Sequence, residues 1–232
     1  MRSYNRTLHP LQYSEEGMGL WLYAFDAAID GKAIPYMPNP HLHRRWEYAM
    51  AMEFLNSLGG TERCPRILDV GGAGSLFAPI ALTMGYDVTV VDPDPCVGMF
   101  AGQQRSAGGT GRAICADFME WGTTHAPYSV ETFDVVLSLS TIEHVPNDVE
   151  FIQKLACHAR KGLFLTTDFS MSGEVFQAGH LRTYSPKTMQ NKLVQALPEE
   201  WKLAGEPEWV DSGGWIMGYN FASMGAVIDE DI

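Results

Sequence analysis

"RILDVGGAGSLFAPIALTMGYDVTVVDPDP", residues 66–95, decides the fold. The apolar run Ile67–Val70 carries Asp69 near its end and passes straight into Gly71, Gly72 and Gly74. Ser75–Gly85 has the spacing of a helix, and Asp87–Asp92 reads as a second strand ending in a second aspartate. Strand, glycine turn, helix, strand is one βαβ unit. Outward from it the same texture continues: strands at 112–117, 133–140 and 162–168 alternate with helices at 96–106, 148–160 and 185–197. That alternation predicts a doubly wound, Rossmann-like α/β domain with a mainly parallel sheet of seven strands. The last two strands, 201–210 and 221–228, have no helix between them and so predict an antiparallel edge.

Upstream of residue 61 the pattern is different. Residues 14–30 show helical spacing, 34–41 are a proline-rich loop, and Asn39-Pro40 reads as a cap and first turn of a helix running to Leu58. Gly59-Gly60 stops it. The expected organisation is an N-terminal helical lid, 1–60, over a nucleotide-binding-type domain, 61–232.

Composition narrows the function. The chain of 232 residues is 46% hydrophobic and carries a net charge of −12, which disfavours a nucleic-acid partner. No apolar run is long enough to span a bilayer, and residues 1–17 lack the apolar core of a secretion signal. Four scattered cysteines without metal spacing fit reduced thiols, so a cytoplasmic location is expected. No H-x-x-x-H pair or carboxylate cluster is visible in the sequence, and no metal is expected.

In an open α/β sheet the ligand lies beyond the carboxyl ends of the strands, which places Asp69 and Asp92 together at its edge. Glycines let the backbone approach the ligand, and Asp92, at the next strand tip, suits a ribose diol. A dinucleotide needs the G-x-G-x-x-G turn, but here Phe77 stands at the third glycine. Asp69 would also repel a pyrophosphate by roughly 3 kcal/mol at about 5 Å and an effective dielectric near 20. S-adenosyl-L-methionine has no phosphate and brings a sulfonium and an ammonium. The charge argument favours the methyl donor, with S-adenosyl-L-homocysteine as product. The competing readings are a nicotinamide-dependent oxidoreductase and a non-catalytic cofactor-binding scaffold.

Five motifs in order, LDVGGAGS (68–75), VVDPDP (90–95), CADF (115–118), FDVVLSLSTIEHVPND (133–148) and HLRTYSPKTMQNKLVQAL (180–197), make Arg66–Leu197 resemble class I S-adenosylmethionine-dependent methyltransferases. The likeness is to the small-molecule branch that includes ubiquinone- and menaquinone-biosynthesis methyltransferases. Ala73 and Ser75 depart from the usual glycines. The resemblance implies cofactor contacts from Asp69, Gly71, Gly72, Ala73, Gly74, Asp92 and Pro93. It also implies Asp117 and Phe118 at the adenine, Ser138 and Leu139 at the ammonium, and Arg45 (or Arg44 beside it) at the carboxylate. The absence of a D/N-P-P-Y/F segment after the fourth strand points away from adenine or amide nitrogen and towards a small-molecule acceptor, more readily through a hydroxyl oxygen. A hydroxyl profits from a base near neutrality, so His144 and His180 are the candidate catalytic residues. Glu143 is expected to orient the loop. Aromatics including Tyr13, Trp21, Tyr23, Phe25, Tyr36, Trp46, Trp209, Trp215 and Tyr219 are candidates for an acceptor wall. The oligomeric state is open.

Overall fold

A computed structural model describes residues 3–9, 12, 16–30, 44–98, 100, 110–122, 130–175, 177–213 and 218–228. Tyr13, Tyr36, Trp215, the proline-rich loop and most of the helix expected at 96–106 lie outside them. The strands are β1 (Arg66–Val70), β2 (Asp87–Asp92), β3 (Gly111–Cys115), β4 (Phe133–Leu139), β5 (Ala159–Asp168), β6 (Trp201–Leu203) and β7 (Phe221–Ile228). They form one seven-stranded sheet in the order β3-β2-β1-β4-β5-β7-β6. The pairs from β3 through β5 are parallel, while β7 runs antiparallel to β5 and to the edge strand β6. The sheet is thus Rossmann-like and mainly parallel, with its antiparallel strand at the β5 side, as the sequence predicts.

Helices α1 (Glu16–Asp30), α2 (Arg45–Ser57), α3 (Gly60–Arg63), α4 (Phe77–Thr83), α5 (Asp148–His158) and α6 (Pro186–Thr188), which continues as a wider helix over Met189–Val194, connect and cover the sheet. Alternate strand residues feed two cores. Ile67, Val88, Val135 and Phe164 pack with Trp46, Phe54 and Phe77 on one face. Leu68, Val91, Val136 and Leu165 pack with Phe151, Leu155 and Leu193 on the other. Period-two burial on strands that are covered on both faces is what a doubly wound sheet requires.

Some boundaries moved. β5 begins at Ala159, three residues before the expected start, because α5 ends at His158 and the chain extends at once. β6 stops at Leu203: Gly205 takes φ +95°, and the residues beyond it pair with the N-terminal segment instead. The amides of Tyr4 and Glu208 donate to the carbonyls of Ala204 and Asn5, and those of Leu8 and Ser223 donate to Phe221 and Arg6. Residues 3–9 therefore lie along the antiparallel side of the sheet through isolated bridges rather than forming a helix. α2 likewise shares its core with β1 and β4, so one apolar cluster runs across position 60. The four cysteines are free thiols.

Candidate active site

A crevice of about 250 Å³ opens at the carboxyl ends of β1, β2 and β4. Its floor is the β1–α4 turn. The Gly71 amide donates to the Val91 carbonyl at 2.9 Å, and Gly71 sits at φ +80° with no room for a side chain. A Cβ there would lie 2.1 Å from Thr141 Oγ1, on the segment after β4. At Gly72 a Cβ would lie 2.3 Å from Asp69 Oδ2. The glycines let the turn press against β4 on one side and against a carboxylate below.

Asp92 closes this turn. Its Oδ2 accepts from the Ala73 amide at 3.0 Å and its Oδ1 from the Asp94 amide at 2.7 Å. A carboxylate has about four acceptor directions, so this clamp leaves two for a ligand diol. Asp69 is buried, and its Oδ2 has no hydrogen-bond partner. Burial, with Asp92 adding to it, pushes its pKa up to about 7. Below that pH it holds a proton, which a nearby cation would help displace. The two aspartates differ: one is clamped by amides, the other is a buried acid. Ser75 has a local reason, since its Oγ accepts from the Phe77 amide at 3.0 Å at the start of α4.

The roof comes from the segment before α2. Of the two arginines, Arg44, not Arg45, lines the crevice. Arg44 Nη1 donates to the carbonyls of Leu139 and Ser140 at 3.4 and 3.5 Å. Its Nε is buried without a partner. Burial alone would lower its pKa, but Glu47, Tyr48, Glu143 and Asp168 outweigh that and raise it. Ser140 takes φ +46°, a left-handed conformation that costs a non-glycine residue free energy. A buried network holds it: the Ser140 amide donates to Thr166, and the hydroxyls of Ser140 and Thr166 both donate to Glu47 Oε1.

The mouth is acidic and imidazole-rich. His144 ends a 3₁₀ turn, Ile142–His144, and lines the crevice. His180 comes from the loop after β5, tied back by the Leu181 amide donating to the Glu143 carbonyl at 2.9 Å. The two rings meet edge to face, 4.4 Å between centroids. Asp168, at the tip of β5, contacts His180 Nδ1 through Oδ2 at 2.5 Å. Burial lowers the pKa of both imidazoles, helped by His180 and Arg44 for His144 and by Arg44 for His180. Burial raises Asp168 to about 6 and, with Asp168 beside it, Glu143 to about 8. At neutral pH the mouth therefore offers unprotonated imidazoles beside a protonated Glu143. One ligand atom each from Glu143, His144 and His180 falls within 4.8 Å of the others, a spread that a divalent cation could bridge. Sequence spacing could not reveal this set, because His180 is 36 residues from His144 in the chain.

The crevice thus gathers Asp69, Gly71, Gly72, Ala73, Asp92, Pro93, Leu139 and His144, and adds Arg44, Tyr48, Ser75, Ser140 and Thr141. Gly74 has φ +72° and lies outside that lining. Asp117 is exposed, its Oδ1 accepting from the Met119 amide. Phe118 is a core residue packed on Trp121, Phe151 and His158. Ser138 is wholly buried with its hydroxyl unpaired. Of the aromatics, Phe25, Trp46 and Trp209 are core residues, and Tyr23 is 76% exposed. None of these lines the crevice; Tyr48 does.

Comparison with known proteins agrees with this fold. A family model described as a methyltransferase domain matches residues 68–165. A ubiquinone biosynthesis O-methyltransferase of Rhizobium leguminosarum bv. trifolii is 32% identical over 87 residues, 37% of this chain and 32% of that protein. One from Azorhizobium caulinodans is 34% identical over 89 residues, 38% of this chain and 34% of its own. The matched stretch spans about a third of these relatives' length. Among solved structures, magnesium protoporphyrin IX methyltransferase from Synechocystis with bound SAM superposes with TM-score 0.59 at 13% identity, covering 92% of this chain and 98% of that one. The N-methyltransferase NodS from Bradyrhizobium japonicum gives 0.58 at 14%, covering 82% and 98%. At such identities these structures establish the shared fold.

Proposed function

We propose that the chain, whose residues 68–165 match a methyltransferase-domain family model, is a class I methyltransferase that transfers the methyl group of S-adenosyl-L-methionine to a hydroxyl oxygen of a small-molecule acceptor. The observation that carries this reading is Asp92, clamped beneath the glycine turn with acceptor directions left for a ribose diol. Asp69 and the 139–140 carbonyls supply the negative side that a sulfonium and an ammonium need, and Arg44 meets the carboxylate. Gly74, Asp117, Phe118 and Ser138 support the turn and the adenine end from outside the described lining. The segment before residue 61 serves as the cover, through Arg44 and Tyr48.

The sulfonium is an activated leaving group, so alignment and exclusion of water do most of the work. As the acceptor oxygen bonds to the methyl carbon, the carbon–sulfur bond breaks and its pair returns to sulfur. The hydroxyl proton passes to an imidazole of the mouth. His180, just outside the crevice lining, is the better-oriented base, because Asp168 holds Nδ1 and leaves Nε2 for the proton; His144 lines the crevice beside it. A second reading follows from the Glu143–His144–His180 set: a divalent cation held there would lower the hydroxyl's pKa instead.

The test is turnover of isotopically labelled S-adenosylmethionine against a panel of phenols, sugars and amines, with and without chelator. Transfer to a hydroxyl that survives chelation supports the base. Transfer lost on chelation supports the cation. Cofactor binding without turnover on any acceptor supports a scaffold, and binding of NADH in its place overturns the reading.

A further inference from the structure

A second cavity, of about 850 Å³, lies at the opposite end of the sheet. β5 measures roughly 30 Å over its ten residues at the usual rise. Asp168 ends it at the crevice, whereas Arg160 and Lys161 begin it at this cavity. No acceptor bound here reaches the methyl group.

The lining divides into two chemistries. Phe54, Leu58, Leu203, Val227 and Ile228 form an apolar floor. Arg63, Arg160, Lys161 and Lys202 stand around it, with Glu62 the one acid among the described lining residues. That ratio of four cations to one acid sits in a chain with 16 Lys and Arg against 28 Asp and Glu. Asp134 offsets part of the charge, 3.0 Å from Arg160 and 3.6 Å from Lys161. Among the described residues, four cations against Glu62 and Asp134 leave an excess of positive charge on a protein of net charge −12. The floor is built for close packing: at Gly162 a Cβ would stand 2.7 Å from Leu58 Cδ1.

We propose that this cavity binds a single-chain amphipathic carboxylate, a free fatty acid, with the head group at the basic rim and the alkyl chain along the floor. An inorganic anion makes no use of the apolar wall. A neutral lipid gains nothing from four cations. The volume is in the range of sites that enclose small organic ligands, and the class of ligand follows from the charge contrast and the floor together. This site is independent of the methyl-transfer reading.

The test is calorimetry on the full chain saturated with S-adenosylhomocysteine, using dodecanoate, decanoate, octanoate and dodecan-1-ol below their micellar concentrations. Expected is saturable one-to-one binding of dodecanoate that weakens about two- to fourfold per methylene removed. Dodecan-1-ol should bind about tenfold more weakly or worse. The exposed-residue variants Arg63→Gln and Lys161→Gln should each weaken dodecanoate several-fold while leaving S-adenosylhomocysteine affinity unchanged. No saturable heat, equal binding of the alcohol, or indifference to both variants overturns the proposal. So does uptake onto phosphatidylglycerol vesicles that dodecanoate fails to displace, which assigns the rim to a membrane surface. Loss of S-adenosylhomocysteine binding in wild type would count against the crevice alone.

Discussion

The donor side and the mouth of the crevice are built in opposite ways. On the donor side, Asp69, Gly71, Gly72, Ala73 and Asp92 come from one βαβ unit, whose turn is tied by backbone amides to Val91 and Asp92. At the mouth, Glu143, His144, Asp168 and His180 arrive from three separate segments, and the imidazoles and Asp168 meet through side chains. The difference teaches where each part can vary. A backbone-built turn fixes what the cofactor must be, while a side-chain mouth can be rebuilt for different acceptors without disturbing the turn.

The sharpest way to break that division is to change the mouth and watch the donor side. His180→Ala should lower transfer to a hydroxyl acceptor about a hundredfold or more, in the range of lost acid–base catalysis. S-adenosylhomocysteine affinity, read by calorimetry, should stay within about twofold. Asp168→Asn should reproduce much of the rate loss. If either variant loses cofactor binding as well, the two regions are one unit.

The reverse experiment follows. Gly71→Ala places a Cβ 2.1 Å from Thr141 Oγ1 at a φ of +80°, so cofactor affinity should fall by about tenfold or more. Adding Thr141→Gly relieves the collision but not the backbone strain, and partial recovery measures one against the other. Full affinity in Gly71→Ala would mean that the turn is looser than its contacts indicate.

A smaller effect sharpens the contrast within the donor side. Asp69 titrates near 7 in the folded chain against an ordinary 3.8. Between those values the native state holds a proton that the unfolded state has released. The stability linked to this group is therefore complete below about pH 4 and is lost as pH rises towards about 7. Asp69→Asn does not titrate, so its thermal midpoint should gain on wild type across that window, by about 2–4 °C for each kcal/mol of linkage. Saturating S-adenosylhomocysteine should reduce the gain, because its ammonium favours the ionised carboxylate. A flat difference from pH 4 to 8 would remove Asp69 from the electrostatic account.

The same contrast explains what the sequence could disclose. The placement of Asp69, Gly71, Gly72 and Asp92 at the strand tips was legible because strand tips and turns follow local rules, and the sheet followed from alternation. The choice between Arg44 and Arg45 was not: neighbouring helix-start residues point about 100° apart, and nothing local says which faces the crevice. Asp168 carried no motif at all; it matters because the β5 tip faces a loop twelve residues later. Phe118 and Trp46, both core residues, show the limit for aromatics, since one in a core and one in a pocket wall look alike until packing is known. The extended pairing of residues 3–9 with the chain after β6 was equally hidden, because its partners lie some two hundred positions away.

Calorimetric titration of S-adenosylhomocysteine into wild type and Asp92→Ala, side by side, tests the central claim most directly. One-to-one binding near micromolar in wild type, weakened about tenfold or more in the variant, is the predicted result. Absence of heat at millimolar ligand, or equal affinity in the two proteins, would contradict it.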